Sequence, residues 1–143
     1  MNYIFSVIFL YFFLGFLLYI FQRRIIFNKS GHPGAPQDYN LTKTEEIYIK
    51  TEDNLDLLSW YHKGDNSLPL LVYFHGNSYH IGDRAYRIEK YIKRNWSVLL
   101  VSWRGFGGNQ GNPTEKNLYK DAEAVLKWIK NNTEFKFKDL VIY

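Results

Sequence analysis

The hydrophobic pattern begins with one long apolar stretch and then changes to short apolar runs separated by polar positions. Residues 3–21 contain no charged side chain, and Ser6 is the only clearly polar residue among them. As a helix these residues would span about 28 Å, close to the roughly 30 Å hydrocarbon core of a bilayer. Tyrosines stand at or near both ends, and Arg23 and Arg24 follow. Residues 1–24 are therefore predicted to form a transmembrane anchor that contacts the lipid bilayer through residues 3–21.

Two alternatives to an anchor exist for this stretch. A cleaved signal peptide needs a basic amino-terminal region and a small-residue cleavage site, and Asn2 and the arginine pair supply neither. A buried core helix would be shorter and would show a polar face. The arginine pair favours a cytoplasmic location for the chain that follows it. The expected location is a membrane crossed once by an N-terminal anchor, namely the bacterial inner membrane.

The residues after the anchor first have the composition of a linker and then the hydrophobic pattern of strands. Residues 25–44 are predicted to form a linker because they contain residues that interrupt regular structure, namely Gly31, Pro33, Gly34 and Pro36. Residues 45–50 then alternate between apolar and polar side chains, and residues 55–62 form a second strand-like run. The four residues 51–54, Thr-Glu-Asp-Asn, have the composition of a turn. These two runs are therefore predicted to pair as an antiparallel hairpin.

The rest of the chain alternates continuous apolar runs with amphipathic helical patterns. The apolar runs are residues 70–74, 98–101 and 140–142. Such runs are typical of parallel strands that are covered on both faces. Apolar residues recur at helical spacing over 81–92 and 118–129, and Thr114 is a suitable N-cap for the second helix. The order strand, helix, strand, helix, strand predicts a doubly wound α/β sheet, and we expect one domain over residues 45–143.

The composition of the chain argues against several classes of function. The net charge is +4, and Lys and Arg are interspersed with Asp and Glu, so no nucleic-acid partner is expected. The chain has no cysteine, which excludes disulfides and thiolate metal sites. Its four histidines lack metal-ligand spacing such as H-E-x-x-H. We therefore expect neither a metal nor another cofactor.

Two polar loops follow the first two apolar runs, at the strand ends where open α/β sheets bind ligands. The first loop is His-Gly-Asn-Ser at residues 75–78. The second is the glycine-rich segment 104–111. No G-x-S-x-G nucleophile motif occurs in the chain. The sequence therefore offers a candidate substrate edge without the expected nucleophile.

The order and spacing of these motifs resemble the membrane-anchored serine hydrolases of the α/β-hydrolase superfamily. Members of that group combine a strand ending in H-G-N with a later V-D-x-R-G-x-G-x-S-x-G and a D-A-x-A-A helix. The counterparts here are residues 74–77, 101–111 and 121–124. The resemblance covers residues 45–143, and it departs from the group at Ser102 and Asn109, where the group has Asp and Ser.

The resemblance implies the front half of a membrane-anchored serine hydrolase that cleaves an ester, thioester or amide through a covalent acyl-enzyme. It implies that the main-chain N–H of Asn77 is one donor of the oxyanion hole and that Gly76 allows a tight turn with positive φ. His75, Ser78 and Arg104 are then candidate residues of the substrate loops. No nucleophile or other triad residue is expected in this chain, and the expected ligand is a small acyl or peptide substrate.

Individual side chains keep alternative roles. His75 is either a general base or a residue that structures its loop. Ser78 and Ser102 are possible nucleophiles, although neither lies in a G-x-S-x-G elbow. Arg104 either organises its own loop or contacts substrate.

Three functions compete for the whole chain. A dinucleotide-binding oxidoreductase would need G-x-G-x-x-G, but the third position after Gly105 and Gly107 is Gln110. A non-catalytic truncated product or a membrane-tethered binding module would leave residues 140–143 as an unprotected apolar strand edge. The hydrolase, interrupted before its nucleophile elbow and inactive without it, is therefore the main expectation.

Overall fold

The fold comes from a computed structural model that describes residues 2–29 and 31–143. The helices are α1 (Asn2–Ile26), α2 (Ala85–Ile92) and α3 (Glu115–Asn132). The strands are β1 (Asn28–Lys29), β2 (Thr44–Lys50), β3 (Asp56–His62), β4 (Leu70–Phe74), β5 (Ser78–Tyr79), β6 (Ser97–Val101) and β7 (Leu140–Ile142). Short 3₁₀ turns occupy Pro36–Tyr39, Ile81–Arg84 and Phe137–Asp139.

Five strands form the main sheet in the order β2-β3-β6-β4-β7. The β2–β3 and β3–β6 pairs are antiparallel, whereas β4 pairs in parallel with both β6 and β7. This arrangement confirms the predicted hairpin followed by parallel strands. It also places β4 between β6 and β7, so the loops that follow β4 and β6 leave from the same edge of the sheet.

Apolar side chains are buried on both faces of the sheet. On β6, Val98 and Leu100 belong to the core layer that includes Ile88 of α2, because alternate residues of a strand face opposite sides. Leu99 and Val101 belong to the opposite layer, with α3. This double coverage explains why the runs in β4 and β6 are continuously apolar.

The predicted start of α3 is confirmed. Thr114 has extended dihedral angles, and its Oγ1 accepts a hydrogen bond from the Asn117 main-chain N–H at 3.2 Å. A threonine side chain in this position satisfies one of the N–H groups that the first helical turn leaves without a partner. The other helical pattern, over residues 81–92, divides into a 3₁₀ turn and α2.

Helix α1 has the length and composition of a membrane span. An 18-residue window within Tyr3–Ile26 has a mean hydropathy of 2.5, and most large apolar side chains of the helix are exposed. Its basic residues, Arg23 and Arg24, lie in the last turn, as is typical of a helix that ends at a membrane surface.

The segment assigned to a linker from the sequence lies against the domain. Leu41 is only 3% exposed, and the Tyr39 ring packs on the Trp60 ring at a centroid distance of 5.4 Å. Strand β1 pairs in parallel with β5, which was not predicted because two-residue strands have no recognisable period. Glycine and proline interrupt regular structure here, but they do not prevent the chain from packing.

Candidate active site

The two polar loops meet at one edge of the sheet. Phe74 and Val101, the last residues of β4 and β6, are partners in the parallel register. The Trp103 main-chain N–H donates to Nε2 of His75 at 3.3 Å, and the Trp103 indole N–H donates to the His75 carbonyl at 2.8 Å. The Trp103 ring also stacks on the Phe74 ring at 4.6 Å. Trp103, which the sequence did not single out, thus joins the first loop to the second.

His75 is a structural member of its loop. Its Nε2 accepts from Trp103, so the proton of the neutral ring lies on Nδ1 and is donated to the Gly76 carbonyl at 2.6 Å. The side chain is buried, and this burial lowers the pKa of His75 to about 4, with the Gly76 carbonyl partly opposing the shift. Both ring nitrogens are engaged, which favours the loop-structuring alternative over a general base.

Asn77 is held at two points but keeps its main-chain N–H available. Its carbonyl accepts from the Asn28 N–H at 3.2 Å, and its side-chain amide donates to the Ile26 carbonyl at 2.9 Å. None of the residues that the structure describes accepts a hydrogen bond from the Asn77 N–H. A main-chain N–H that is held in place and free to donate is what an oxyanion hole requires.

The expectation for Gly76 is wrong in one respect. Gly76 does not adopt positive φ, and no atom lies within 4 Å of the place where its Cβ would be. The left-handed residue of this loop is Tyr79, with φ of 65°. A bulky residue in this region is strained, and here the β1–β5 pairing, which includes Tyr79, holds it.

Neither candidate serine has a base beside it among the described residues. The Ser78 hydroxyl lies 3.5 Å from Oδ1 of Asn77, and the Ser78 carbonyl accepts from Arg84 at 3.3 Å. Ser102 is fully buried, and its hydroxyl donates to the Phe106 carbonyl at 3.3 Å. A serine nucleophile needs a neighbouring base to remove its proton, so these contacts favour structural roles.

Arg104 is buried between two aspartates. Its Nε donates to Asp121 at 2.8 Å, and its two terminal nitrogens donate to Asp53 at 2.8 Å and 3.0 Å. The Arg104 guanidinium, 2% exposed, holds the pKa of the Asp53 carboxyl well below its usual range. Arg104 therefore ties its loop to the β2–β3 turn and to α3, which favours loop organisation over substrate contact. Asp53 as a partner was not predicted, because it lies 51 residues away in sequence.

Several known proteins are similar to this chain in sequence. An uncharacterized protein of Mycobacterium tuberculosis is 32% identical over 127 residues, which cover 84% of this chain and 44% of the relative. The α/β hydrolase domain-containing protein WAV2 of Arabidopsis thaliana is 25% identical over 136 residues, which cover 89% and 44%. The lysophosphatidylserine lipase ABHD12 of Danio rerio is 26% identical over 116 residues, which cover 66% and 30%.

A solved structure is also similar to this chain. The Pyrococcus furiosus esterase superposes with a TM-score of 0.61 at 26% identity, covering 82% of this chain and 46% of the esterase. The chain belongs to the α/β-hydrolase superfamily. It spans less than half the length of the curated relatives named above. No protein-family model matches it.

Asn109, one of the two departures from the hydrolase pattern, holds the second loop in place. The Asn109 side chain accepts from the Leu58 N–H at 3.0 Å and donates to the carbonyls of Ser102 and Trp103 at 2.9 Å and 3.2 Å. The loop is thereby fastened to β3. The amide of Asn109 provides both the acceptor and the donors that these three contacts need.

Arg104→Gln should lower the free energy of unfolding of this hydrolase chain by about 3–5 kcal/mol, because Asp121 would stay buried without its charged partner. The measurement is urea unfolding in dodecyl maltoside, followed by tryptophan fluorescence. Lys50→Gln is the matched control, since it breaks an exposed ion pair with Asp56 and should cost less than about 1 kcal/mol. Equal losses for the two variants would contradict the structural role of Arg104.

His75 should make folding sensitive to acid. Below pH 6.5 the unfolded chain binds a proton that the folded chain, with a His75 pKa of about 4, does not bind. Stability contributed by His75 is therefore lost as the pH falls, by about 2 kcal/mol between pH 7 and pH 5. His75→Gln should reduce the pH dependence of the unfolding free energy by that amount. Identical pH dependences of the unfolding free energy for the unchanged chain and for His75→Gln would refute the prediction.

Proposed function

We propose that this chain supplies the membrane anchor and the oxyanion loop of a serine hydrolase that cleaves an ester, thioester or amide through a covalent acyl-enzyme. The observation that supports the proposal is the main-chain N–H of Asn77, which has no acceptor among the described residues and lies in the loop that follows β4. In acyl transfer, negative charge develops on the carbonyl oxygen of the substrate. A fixed N–H stabilises this charge without having to reorganise during the reaction.

The nucleophile is proposed to follow β7. The Phe74 N–H donates to the Tyr143 carbonyl at 2.8 Å, and the Tyr143 N–H donates to the Val72 carbonyl at 2.9 Å. The end of β7 therefore lies beside the start of the His75 loop. A nucleophile elbow placed there would bring its serine next to Asn77, and its own main chain would supply the second oxyanion donor. The greater length of the relatives is consistent with triad residues outside this chain.

The names of the relatives favour an ester as the bond that is cleaved. One relative is a lysophosphatidylserine lipase, and the superposed structure is an esterase. A small acyl or peptide compound is the proposed substrate. Helix α1 is proposed to hold the catalytic domain at a membrane, with the bacterial inner membrane and its cytoplasmic side as the predicted location.

The first test is to read the gene beyond codon 143 for G-x-S-x-G followed by Asp and His, whose absence would refute the proposal. The product should stay in membranes washed with alkaline carbonate and should react with a fluorophosphonate probe. Residues 1–143 alone should not react. Labelling of that shorter chain would instead point to a serine within it, such as Ser78.

The role of Asn77 can be tested in the active product with two substitutions. Asn77→Pro removes the main-chain N–H and should lower kcat for a p-nitrophenyl ester by about 10² to 10³, with little change in KM. Asn77→Ala keeps the N–H and should lower kcat less than about tenfold, since one oxyanion donor typically contributes far more. A folded Asn77→Pro variant with the kcat of Asn77→Ala would refute the oxyanion role.

A further inference from the structure

A cavity of about 620 Å³ lies where α1 meets the catalytic domain. Its walls come from the end of α1 and the residues after it, and from the end of the glycine-rich loop. The lining residues are Arg23, Arg24, Phe27, Asn28, Lys29, Asn112 and Pro113. The volume is within the range of small-molecule sites in proteins. The cavity has no part in the ester cleavage proposed for this chain.

The charge of this cavity is entirely positive. Three of its lining residues are cations, and no acidic side chain lines it. None of Arg23, Arg24 and Lys29 forms an ion pair with any residue in the described parts of the chain. Like charges held together repel one another, and an anion with several oxygens would relieve this repulsion by accepting charged hydrogen bonds.

Lys29 is held towards the glycine-rich loop by local packing. A Cβ atom on Gly105 would lie 3.1 Å from the Lys29 ammonium and 2.9 Å from Cδ of Pro113. Gly105 also has φ of 77°, which disfavours any other residue there. The missing side chain at position 105 therefore leaves the space that the lysine ammonium uses beside the loop.

The expected level of the cavity relative to the membrane indicates where its anion comes from. The 24 residues Tyr3–Ile26 would span about 36 Å as a helix, which exceeds the roughly 30 Å hydrocarbon core. We expect the last turn of α1 at the level of the lipid headgroups, because the charges of Arg23 and Arg24 disfavour the hydrocarbon core. Phosphate groups are the abundant anions at this level, and basic pockets at the ends of membrane helices bind anionic headgroups.

We propose that this cavity binds the phosphate of an anionic phospholipid headgroup. Arg24 and Lys29 supply charged donors from two sides. Because Asn28 lines the cavity and also donates to the Asn77 carbonyl, a bound lipid fixes the depth of the oxyanion loop relative to the membrane. The site does not depend on the hydrolase activity, so it can exist whether or not ester cleavage is confirmed.

The test uses the full chain in dodecyl maltoside, titrated with short-chain phosphatidylglycerol and read by native mass spectrometry. We expect one saturable phosphatidylglycerol per chain and at least tenfold weaker binding of phosphatidylcholine. The double substitution Arg24→Gln with Lys29→Gln should weaken phosphatidylglycerol binding at least tenfold. The double substitution Arg24→Lys with Lys29→Arg keeps both charges and should retain most of the phosphatidylglycerol affinity of the unchanged chain.

The matched control is Lys116→Gln with Lys130→Gln, which removes two charges from exposed positions on α3 and should change the affinity less than twofold. An equal loss of phosphatidylglycerol affinity in both double variants would show that the lipid is attracted by the net charge of the chain alone, and it would overturn the proposal. Equal binding of the two lipids would also overturn it. Inorganic phosphate that displaces the lipid at low millimolar concentration would identify free phosphate as the ligand and overturn the lipid assignment. Thermal unfolding should be the same in all variants.

Discussion

The parallel pairing of β4 with both β6 and β7 is the constraint on which the rest of this structure depends. Because β4 is bonded on both sides, its last residue, Phe74, lies beside the end of β6 and beside Tyr143. The loops that leave these strands therefore start within one small region of the sheet edge. Burial of the apolar side chains of β4 and β6 on both faces of the sheet stabilises this arrangement.

Polar groups then give the two loops their shape. Trp103 donates twice to His75, Asn109 fastens the glycine-rich loop to β3, and Arg104 is held between Asp53 and Asp121. Buried polar groups are costly when they lack partners, so each of these contacts also excludes other loop conformations. These contacts fix the two loops relative to each other and to the sheet.

The membrane segment is part of the same arrangement. Ile26 and Asn28 bind the side chain and carbonyl of Asn77, and the Phe27 ring packs edge-on against Phe106 at 6.1 Å. The end of α1 thus contacts the loop of residues 75–78 directly instead of leading to it through a flexible connection. The candidate membrane helix and the geometry of the proposed chemistry are therefore mechanically linked.

The sequence by itself determined the elements of this protein, because apolar periodicity reports which faces of a helix or strand are buried. The membrane-length helix, the hairpin and the Thr114 cap follow from local patterns, and so do the buried strands β4 and β6. The third apolar run, β7, was expected to be covered on both faces, but Val141 and Ile142 are exposed. The order and spacing of the loop motifs also indicated the superfamily. Only the tertiary structure decided which polar groups meet. The pairing of β1 with β5, the Arg104–Asp53 contact and the engagement of His75 by Trp103 join residues separated by 28 to 51 positions. Such contacts arise from the path of the chain through space, which no local pattern records.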